Sequence, residues 1–231
     1  LSIKNLHKRY GKIHAVNNVS LEIHKGNVYG ILGPNGSGKS TTLGIVLNVV
    51  NKTSGEYSWF DGTMQTHEAL KKVGAIIERP NFYPYMSAKE NLELVCKIKN
   101  IDYSKINEKL EIVGLIDRKD SKFKTFSVGM KQRLAIAATL IGQPDVVIFD
   151  EPTNGLDPVS LIRLKKLIDE EKKKGKTILI TTHIMSLVEE IADEIVFLLD
   201  GSIYFQGTVK ELKEKTDQTD LEHAIANIIT G

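Results

Sequence analysis

The most constraining feature of this sequence is a glycine-rich octapeptide that stands between a strand pattern and a helix pattern. Residues 33–40 read Gly-Pro-Asn-Gly-Ser-Gly-Lys-Ser and fit G-x-x-x-x-G-K-[ST], a phosphate-binding loop. An apolar run at residues 28–32 precedes the loop, and residues 40–47 favour a helix. In this order of strand, loop and helix, backbone N–H groups close around phosphate oxygens at the helix N-terminus. The chain is therefore predicted to bind a nucleotide.

Individual residues of this loop have separate predicted roles. Lys39 is placed to reach the terminal phosphates, and the Ser40 hydroxyl is placed to ligate Mg2+. The helix N-terminus adds roughly half a positive charge beneath the phosphates. The predicted nucleotide-binding residues of the segment are Gly33, Pro34, Asn35, Gly36, Ser37, Gly38, Lys39, Ser40 and Thr41.

Composition narrows the class of protein further. With 231 residues, of which 41% are hydrophobic, the chain can bury one sizeable core, and we expect a single domain. Its 31 basic and 29 acidic residues leave a formal charge of +2, so no nucleic-acid partner is expected. The single cysteine, Cys96, excludes an intrachain disulfide, and no apolar run approaches the roughly 18 residues of a membrane span. We therefore expect a soluble chain in a reducing compartment.

Hydrophobic periodicity divides the chain into three zones. The first, to about residue 78, is strand-rich and surrounds the loop. The second begins at Ser87, which forms a capping-box pattern with Glu90, and is helical to about residue 141. The third alternates short apolar strands with helices, one of which is expected to run from Pro158 to Lys174. Short, continuous apolar strands separated by helices predict an α/β fold with a buried, mostly parallel sheet.

An acidic pair follows one of these strands. Residues 146–149 are Val-Val-Ile-Phe, and Asp150 and Glu151 come directly after them. Asp150 is predicted to hold Mg2+ through water at the carboxyl end of the strand, and Glu151 to polarise an attacking water as general base. A GTPase would need an N-K-x-D motif, but the only candidate, at residues 51–54, lacks the aspartate. The GTPase interpretation fails on this point.

A second helix N-terminus lies beside a glycine at residues 126–133. Ser127 is a natural N-cap for the helical run that follows, and Gly129 stands beside the free N–H groups of the first turn. The sequence therefore predicts a second anion site in the same chain.

These motifs together resemble the nucleotide-binding domain of the ABC (ATP-binding cassette) superfamily. The segments that carry the similarity stand in the family's order and span nearly the whole chain. They are residues 33–40, 126–133, 150–157 and 182–183. The family's fold is a P-loop NTPase RecA-like core with an antiparallel β-subdomain and an inserted α-helical subdomain. The resemblance implies one ABC ATPase domain, 1–231, with its core at 1–79 and 143–231 and the helical subdomain at 80–142.

The second anion site occupies the position of the family's signature motif, which is usually L-S-G-G-Q. Phe126, Val128 and Met130 depart from that pattern, whereas Ser127 and Gly129 retain it. The resemblance therefore implies that Ser127 and Gly129 still contact nucleotide phosphate. The loss of the side-chain amide at Met130 leaves the contribution of that position open.

The resemblance also implies roles for residues outside the two anion sites. Tyr10 would stack on the adenine, and His183 would contact the terminal phosphate as a catalytic residue. The alternatives are that Tyr10 is an ordinary surface aromatic residue and that His183 only starts a helix. The residues implied at a dimer interface are Gly155, Leu156 and Asp157.

The most informative departure from the family is Glu78, where most members have glutamine. An ionised glutamate only accepts hydrogen bonds and brings negative charge near the phosphates. We therefore expect Glu78 to belong to the metal site, and its role to depend more on Mg2+ than that of the usual glutamine. With Phe-Tyr-Pro-Tyr at residues 82–85, it resembles the subgroup that exports, or confers immunity to, peptide antibiotics of the lantibiotic and bacitracin type. The alternative is a neutral exchange of carboxylate for amide.

The resemblance thus implies an ATP-binding and ATP-hydrolysing subunit of a transporter. Two chains, expected to be identical, would form a head-to-tail dimer with two ATP molecules and Mg2+ at the interface. The dimer would drive separate membrane permease subunits from the cytoplasmic face of the cell membrane, through a cleft near Glu78.

Two other classes of protein are alternatives to the transporter. The alternative function is a non-transport ABC ATPase acting on nucleic acid or the ribosome, although the chain has neither a long coiled coil nor a second cassette. A nucleotide kinase would lack the pair Ser127 and Gly129, and also His183.

Overall fold

Two β-sheets and a set of helices make up the protein, whose computed structural model describes residues 1–77 and 81–230. The strands are β1 (Ser2–Tyr10), β2 (Ile13–Glu22), β3 (Val28–Leu32), β4 (Ser54–Ser58), β5 (Val73–Ile76), β6 (Val146–Asp150), β7 (Thr177–Thr181), β8 (Glu194–Leu199) and β9 (Ser202–Gly207). The α-helices are α1 (Lys39–Val46), α2 (Thr66–Ala69), α3 (Ala88–Lys99), α4 (Ile106–Ile112), α5 (Val128–Leu140), α6 (Pro158–Lys173), α7 (Met185–Ile191), α8 (Val209–Thr216) and α9 (Leu221–Thr230).

The larger sheet has six strands in the order β5-β6-β7-β3-β8-β9. All neighbouring pairs are parallel except β8 and β9, which are antiparallel. Every residue of β3, β6 and β7 is buried, which is why these strands are continuous apolar runs in the sequence. The predicted α/β class and mostly parallel sheet are confirmed. Because parallel strands end at one edge of the sheet, the loops after β3, β6 and β7 lie close together.

Side chains of the central strands alternate between two apolar cores, one on each face of the sheet. Val147 and Phe149 belong to a core shared with α3, α4, α5 and α6. Ile148, between them, belongs to a core shared with α1 and the smaller sheet. A third core, beneath α8 and α9, includes Leu32 at the end of β3. The strand that leads into the phosphate loop is therefore fixed on both faces.

The smaller sheet is antiparallel and has the order β2-β1-β4. Both of the first two strands lie in the zone predicted to be strand-rich. Within it, apolar and polar residues alternate over 19–23, which predicts only the end of β2, and the position of β1 has no strand pattern of its own. The physical reason is that many side chains of both strands are polar and exposed, so their hydrophobic pattern is weak. Register shifts on either side of Leu6 also interrupt the alternation of β1, so the hairpin is held by strand pairing together with buried apolar side chains such as Leu6 and Val16.

The helix boundaries follow capping residues closely. Ser87 Oγ accepts from the N–H of Glu90 at 3.1 Å and the Glu90 carboxylate accepts from the N–H of Ser87 at 2.6 Å, so the predicted capping box is confirmed. The helix predicted to end at Lys174 ends one residue earlier, at Lys173. Across the described ranges, none of the helices combines the length and apolar character needed to cross a bilayer.

Candidate nucleotide site

The phosphate loop follows β3 and depends on two glycines that have no room for a side chain. Gly33 has φ +145, and a Cβ there would lie 2.2 Å from the carbonyl oxygen of Leu198. Gly38 has φ +99, and its Cβ would lie 2.4 Å from the carbonyl oxygen of Ala15. Gly36 has φ +83, but a Cβ there would meet no atom within 4 Å. The loop is thus pressed against β2 and β8 at its two ends and is open at its middle.

We expect Gly33→Ala to destabilise the protein more than Gly36→Ala. Alanine at Gly36 carries only the cost of a left-handed backbone, about 1–2 kcal/mol. Alanine at Gly33 adds steric overlap with backbone, which typically costs a further 1–3 kcal/mol or so. Thermal unfolding of the two variants without nucleotide measures the difference. Equal melting temperatures would mean that the loop relaxes freely away from Leu198.

Lys39 is the first residue of α1 and its ammonium lies across the loop. Nζ donates to the carbonyl oxygens of Gly33 at 2.7 Å and Pro34 at 3.0 Å, and the residue is only 8% exposed. Burial lowers the pKa of Lys39, while the negative charges of Glu151 and Asp150 oppose that shift. The predicted phosphate-binding lysine and the predicted acidic pair are therefore within electrostatic reach of each other.

The acidic pair is held by a threonine that sequence reasoning missed. Asp150 is the last residue of β6 and 1% exposed; Thr181, at the end of β7, donates its hydroxyl to Asp150 Oδ1 at 2.6 Å. The same hydroxyl accepts from the backbone N–H of Glu151 at 2.8 Å. Asp150 and Thr181 are directly paired in the sheet. The sequence does show that a threonine, Thr181, ends an apolar strand. Only the order of the strands in the sheet shows that its hydroxyl faces Asp150.

Glu151 begins a sharp turn out of the sheet. Its φ is +51, a left-handed conformation that costs a non-glycine residue roughly 1–2 kcal/mol. Gln132 Nε2 of α5 donates to the Glu151 carbonyl oxygen at 3.4 Å and so supports the turn. Burial raises the pKa of the Glu151 carboxyl group, against the opposing positive charges of His183 and Lys39. A carboxylate with a raised pKa beside a phosphate loop has the properties expected of a general base.

His183 follows β7 and lies next to Glu151. Its Nε2 atom is 3.0 Å from Glu151 Oε1, although the approach does not have hydrogen-bond geometry, and more than half of the imidazole is exposed. The helix that follows begins at Met185, and Ile184 provides no side-chain cap. Thr182, before the histidine, shares a 2.9 Å hydroxyl contact with Thr153. The structure therefore brings together the two residues predicted to be catalytic.

His183→Ala is expected to leave ATP binding largely intact and to reduce turnover by roughly 100-fold, since losing one transition-state contact typically costs about 3 kcal/mol. Steady-state ATPase kinetics and ATP titration measure the two effects separately. His223→Ala is the matched control, because His223 is also an exposed histidine beside a carboxylate, that of Asp220 just before α9. An unchanged kcat for His183→Ala would support its interpretation as a helix-start residue.

The signature segment forms the start of α5, as predicted. The Ser127 hydroxyl caps the helix by accepting from the N–H of Met130 at 3.3 Å. A Cβ on Gly129 would lie 2.6 Å from the carbonyl oxygen of Gly155, and one on Gly155 would lie 2.6 Å from Val128 Cγ1. Glycine is therefore needed at both positions for this close packing. The Val128 side chain is 69% exposed beside them.

The predicted interface residues are continuous with this segment. Gly155 contacts it directly, Leu156 packs against the helical core, and the Asp157 carboxylate caps α6 by accepting from the N–H of Ser160 at 2.8 Å. In the described part of the chain, no hydrogen bond or ion pair joins Ser127 or Gly129 to the phosphate loop. The two predicted anion sites are thus separate features of one chain.

The remaining predicted residues are placed as follows. Tyr10 ends β1 and is half exposed, with Lys8 Nζ 4.6 Å from its ring centroid. It stands on the hairpin whose second strand brings Ala15 against Gly38. Ser40 and Thr41 lie half-buried in the first turn of α1. The prediction for Glu78 falls outside the described residues.

The chemistry of the site fits a nucleotide accompanied by Mg2+. Five buried oxygens at this edge have no hydrogen-bond partner within the described chain: Ser37 Oγ, Thr42 Oγ1, Asp150 Oδ2 and both carboxylate oxygens of Glu151. Within residues 1–77 and 81–230, no cluster of three or more histidine, cysteine, aspartate or glutamate side chains could hold a metal ion by itself. Mg2+ commonly uses one or two carboxylates together with substrate phosphates, and this donor set matches that pattern.

Comparison with known proteins identifies the class to which this fold and site belong. The sequence profile of the family described as ABC transporter matches residues 16–154, more than half of the chain. The chain therefore belongs to the ABC transporter family and is an ATP-hydrolysing subunit of that family. The predicted family, fold class and enzymatic activity are confirmed.

Particular relatives are consistent with this assignment. The chain is 43% identical over 229 residues to the lantibiotic transport ATP-binding protein SrtF of Streptococcus pyogenes, covering 99% of this chain and 97% of that one. It is 36% identical over 219 residues to the bacitracin transport ATP-binding protein BcrA of Enterococcus faecalis, covering 93% and 71%. These are the two kinds of protein that the predicted subgroup contains.

Solved structures show the same fold. An ATP-binding subunit of an ABC transporter superposes with a TM-score of 0.90 at 26% identity, covering 99% of both chains. A dimeric ATP-binding cassette in a post-hydrolysis state, bound to ADP and Pi, superposes with a TM-score of 0.82 at 28% identity, covering 90% of this chain and 97% of that one.

Proposed function

We propose that two copies of this chain hydrolyse ATP between them and drive a membrane permease that exports, or confers immunity to, a peptide antibiotic. The observation that carries the proposal is the arrangement of Asp150, Glu151 and His183 beside Lys39, at the edge of the sheet where the phosphate loop emerges. The signature segment, which would supply the second anion contact, lies elsewhere on the same chain.

The separation of the two anion sites supports a head-to-tail dimer. A phosphate bound in the loop would meet Ser127 and Gly129 of a partner rather than those of its own chain. Gly155, Leu156 and Asp157 pack beside that signature segment and would lie at the same interface. A related cassette solved with ADP and Pi is a dimer.

We propose the boundaries 1–79 and 143–231 for the core and 80–142 for the helical subdomain.

The chemistry follows from the positions of the side chains. Backbone N–H groups and the Ser37 hydroxyl would bind phosphate oxygens, and Lys39 would exchange its carbonyl partners for the terminal phosphates. Mg2+ would be held by Ser40 and Asp150, and would neutralise phosphate charge. Thr181 fixes Asp150 for that purpose. Tyr10 would stack on the adenine.

Proton transfer would fall to Glu151. Its carboxylate, with both oxygens buried and without a well-formed hydrogen bond in the described chain, would accept a proton from the attacking water. His183, 3.0 Å away, would hold the terminal phosphate and keep the carboxylate oriented. Glu78 stays a prediction as a further group on the metal side.

The proposed substrate class rests on the names of the relatives, a lantibiotic transport protein and a bacitracin transport protein. The proposed location is the cytoplasmic face of the cell membrane, where the permease would hold the chain.

The test has two parts. The purified chain should release phosphate from ATP, and the tagged chain in detergent-solubilised membranes should retain a permease. Cells expressing both proteins should then survive a lantibiotic or bacitracin better than cells expressing the permease with Glu151→Gln. Retention of ribosomes or nucleic acid without a permease would contradict the transport proposal.

A further inference from the structure

Two buried threonine hydroxyls join the loop that follows β6 to the loop that follows β7. Thr153 Oγ1 and Thr182 Oγ1 are 2.9 Å apart, and the two residues are 8% and 2% exposed. Thr153 lies in the turn after Glu151, and Thr182 comes directly after the last residue of β7. Because both side chains are shielded from water, losing either hydroxyl would leave the other without this hydrogen bond and without water to replace it.

This hydrogen bond continues the link between the two strands past the end of the sheet. The paired residues of β6 and β7 end at Asp150 and Thr181. The Thr181 hydroxyl reaches Asp150 and the backbone N–H of Glu151. The hydroxyl of the next residue, Thr182, instead reaches Thr153 in the turn that leaves the sheet. The turn after the acidic pair is therefore fixed to the end of β7 at a second point.

The same hydrogen bond anchors the backbone on which His183 stands. Thr182 Oγ1 also accepts from the N–H of Ile184 at 3.2 Å, so one hydroxyl holds the residues on both sides of the histidine. The imidazole itself is 56% exposed, and packing alone therefore holds it weakly. The distance of 3.0 Å between His183 Nε2 and Glu151 Oε1 consequently depends on the backbone that carries the ring.

We propose that Thr153 and Thr182 form a clasp that holds His183 at its working distance from Glu151. The two threonines are positioning residues, because they act through the backbone of the histidine and not on the nucleotide. The inference rests on the proposed function, in which Glu151 takes a proton from water and His183 holds the terminal phosphate. Its support is a buried hydrogen bond that lies two residues after the first of these groups and one residue before the second.

Removal of one hydroxyl tests the clasp in the purified chain. Thr182→Val keeps a β-branched side chain of similar shape. The kcat for ATP hydrolysis should fall by about 10- to 100-fold, since misplacement of a reacting group by about 1 Å can cost 100-fold. Affinity for ATP, measured by titration, should stay at the parental value, because neither threonine lies in the phosphate loop. Thr182→Ser keeps the hydroxyl and should restore most of the lost rate.

Thr177→Val is the matched control. Thr177 is also a buried threonine, 4% exposed, but it begins β7 and so lies at the opposite end of the strand from His183. Its hydroxyl accepts from the N–H of Gly26 at 3.0 Å, so this change also removes one hydrogen bond. Both valine variants should melt below the parent, but only Thr182→Val should lose turnover. An equal kcat for the two variants would overturn the proposal.

A double-mutant cycle separates positioning of His183 from a general loss of order. Combined with His183→Ala, Thr182→Val should cause no further fall in kcat, because the clasp then has no histidine to position. Thr153→Val should reproduce the loss seen with Thr182→Val, and it provides the same test if Thr182→Val does not yield folded protein. If the effects of Thr182→Val and His183→Ala on kcat multiply, the proposal is wrong.

The outcomes separate this inference from the transport proposal. The clasp is judged by phosphate release from the purified chain, whereas transport is judged by retention of a permease and by survival of cells in a lantibiotic or bacitracin. If His183→Ala or Thr182→Val leaves kcat unchanged, the clasp proposal fails while the transport proposal stands. If Thr182→Val loses turnover as expected but the parent retains no permease, the clasp stands and the transport proposal fails.

Discussion

ATP affinity is expected to fall by about 30-fold to several thousand-fold when Lys39 is replaced by alanine. The ammonium is buried, donates to two loop carbonyl oxygens and lies near two acids, so no other cation of the loop can offset phosphate charge in its place. Removing one partner of a buried charge pair typically costs about 2–5 kcal/mol, which gives the stated range. Titration of the purified chain with ATP measures the loss.

Lys52→Ala is the matched control for this experiment. Lys52 also donates to a backbone carbonyl oxygen, that of Gly55, at 2.6 Å, but it is exposed and lies outside the loop. The control should bind ATP as the parent does. Near-parental affinity for Lys39→Ala would mean that residues 33–40 are not the nucleotide site.

Glu151→Gln is expected to reduce ATP hydrolysis by about 10²- to 10⁴-fold while retaining ATP binding. The amide cannot take a proton from water, and loss of a general base typically costs this much. The backbone N–H of Glu151 still donates to Thr181, so the turn should survive the change. The dimer should then accumulate in the presence of ATP, which gel filtration detects.

Burial of Glu151 leads to two further expected results, one for the melting temperature and one for the pH dependence of hydrolysis. The pKa of Glu151 is raised above its ordinary value of 4.5 in the folded protein, so its ionised carboxylate destabilises the fold once the pH is high enough to ionise it. Glu151→Gln removes this charge, and it should therefore raise the melting temperature at neutral pH without nucleotide. In the parent, hydrolysis should be lost on acidification at a pH above 4.5. The exposed change Glu56→Gln should alter neither property. Undiminished turnover in Glu151→Gln, with only monomer present, would contradict the assignment of Glu151 as the general base.

Features encoded by neighbouring residues were predictable from the sequence. The capping box of Ser87 and Glu90, the cap of α6 by Asp157 and the glycine positions of the loop each depend on a few consecutive residues. The buried strands β3, β6 and β7 were predictable for a related reason, since burial on both faces leaves a continuous apolar run.

Features that depend on strand order were not predictable in this way. Thr181 and Asp150 are 31 residues apart, and their hydrogen bond exists because β6 and β7 are neighbours in the sheet. The hairpin of β1 and β2 was missed in part because its exposed face carries many polar residues. Packing of Gly129 against Gly155 likewise requires α5 and the turn after β6 to meet.

By itself, the sequence determined the phosphate loop, the acidic pair and the alternation of strands and helices, because each is a local pattern of glycine, charge or apolar side chains. Only the tertiary structure decided that Glu151 and His183 face each other, that Thr181 fixes Asp150, and that Gly129 packs against Gly155. These are contacts between distant segments, set by the order of strands and the packing of helices on the sheet.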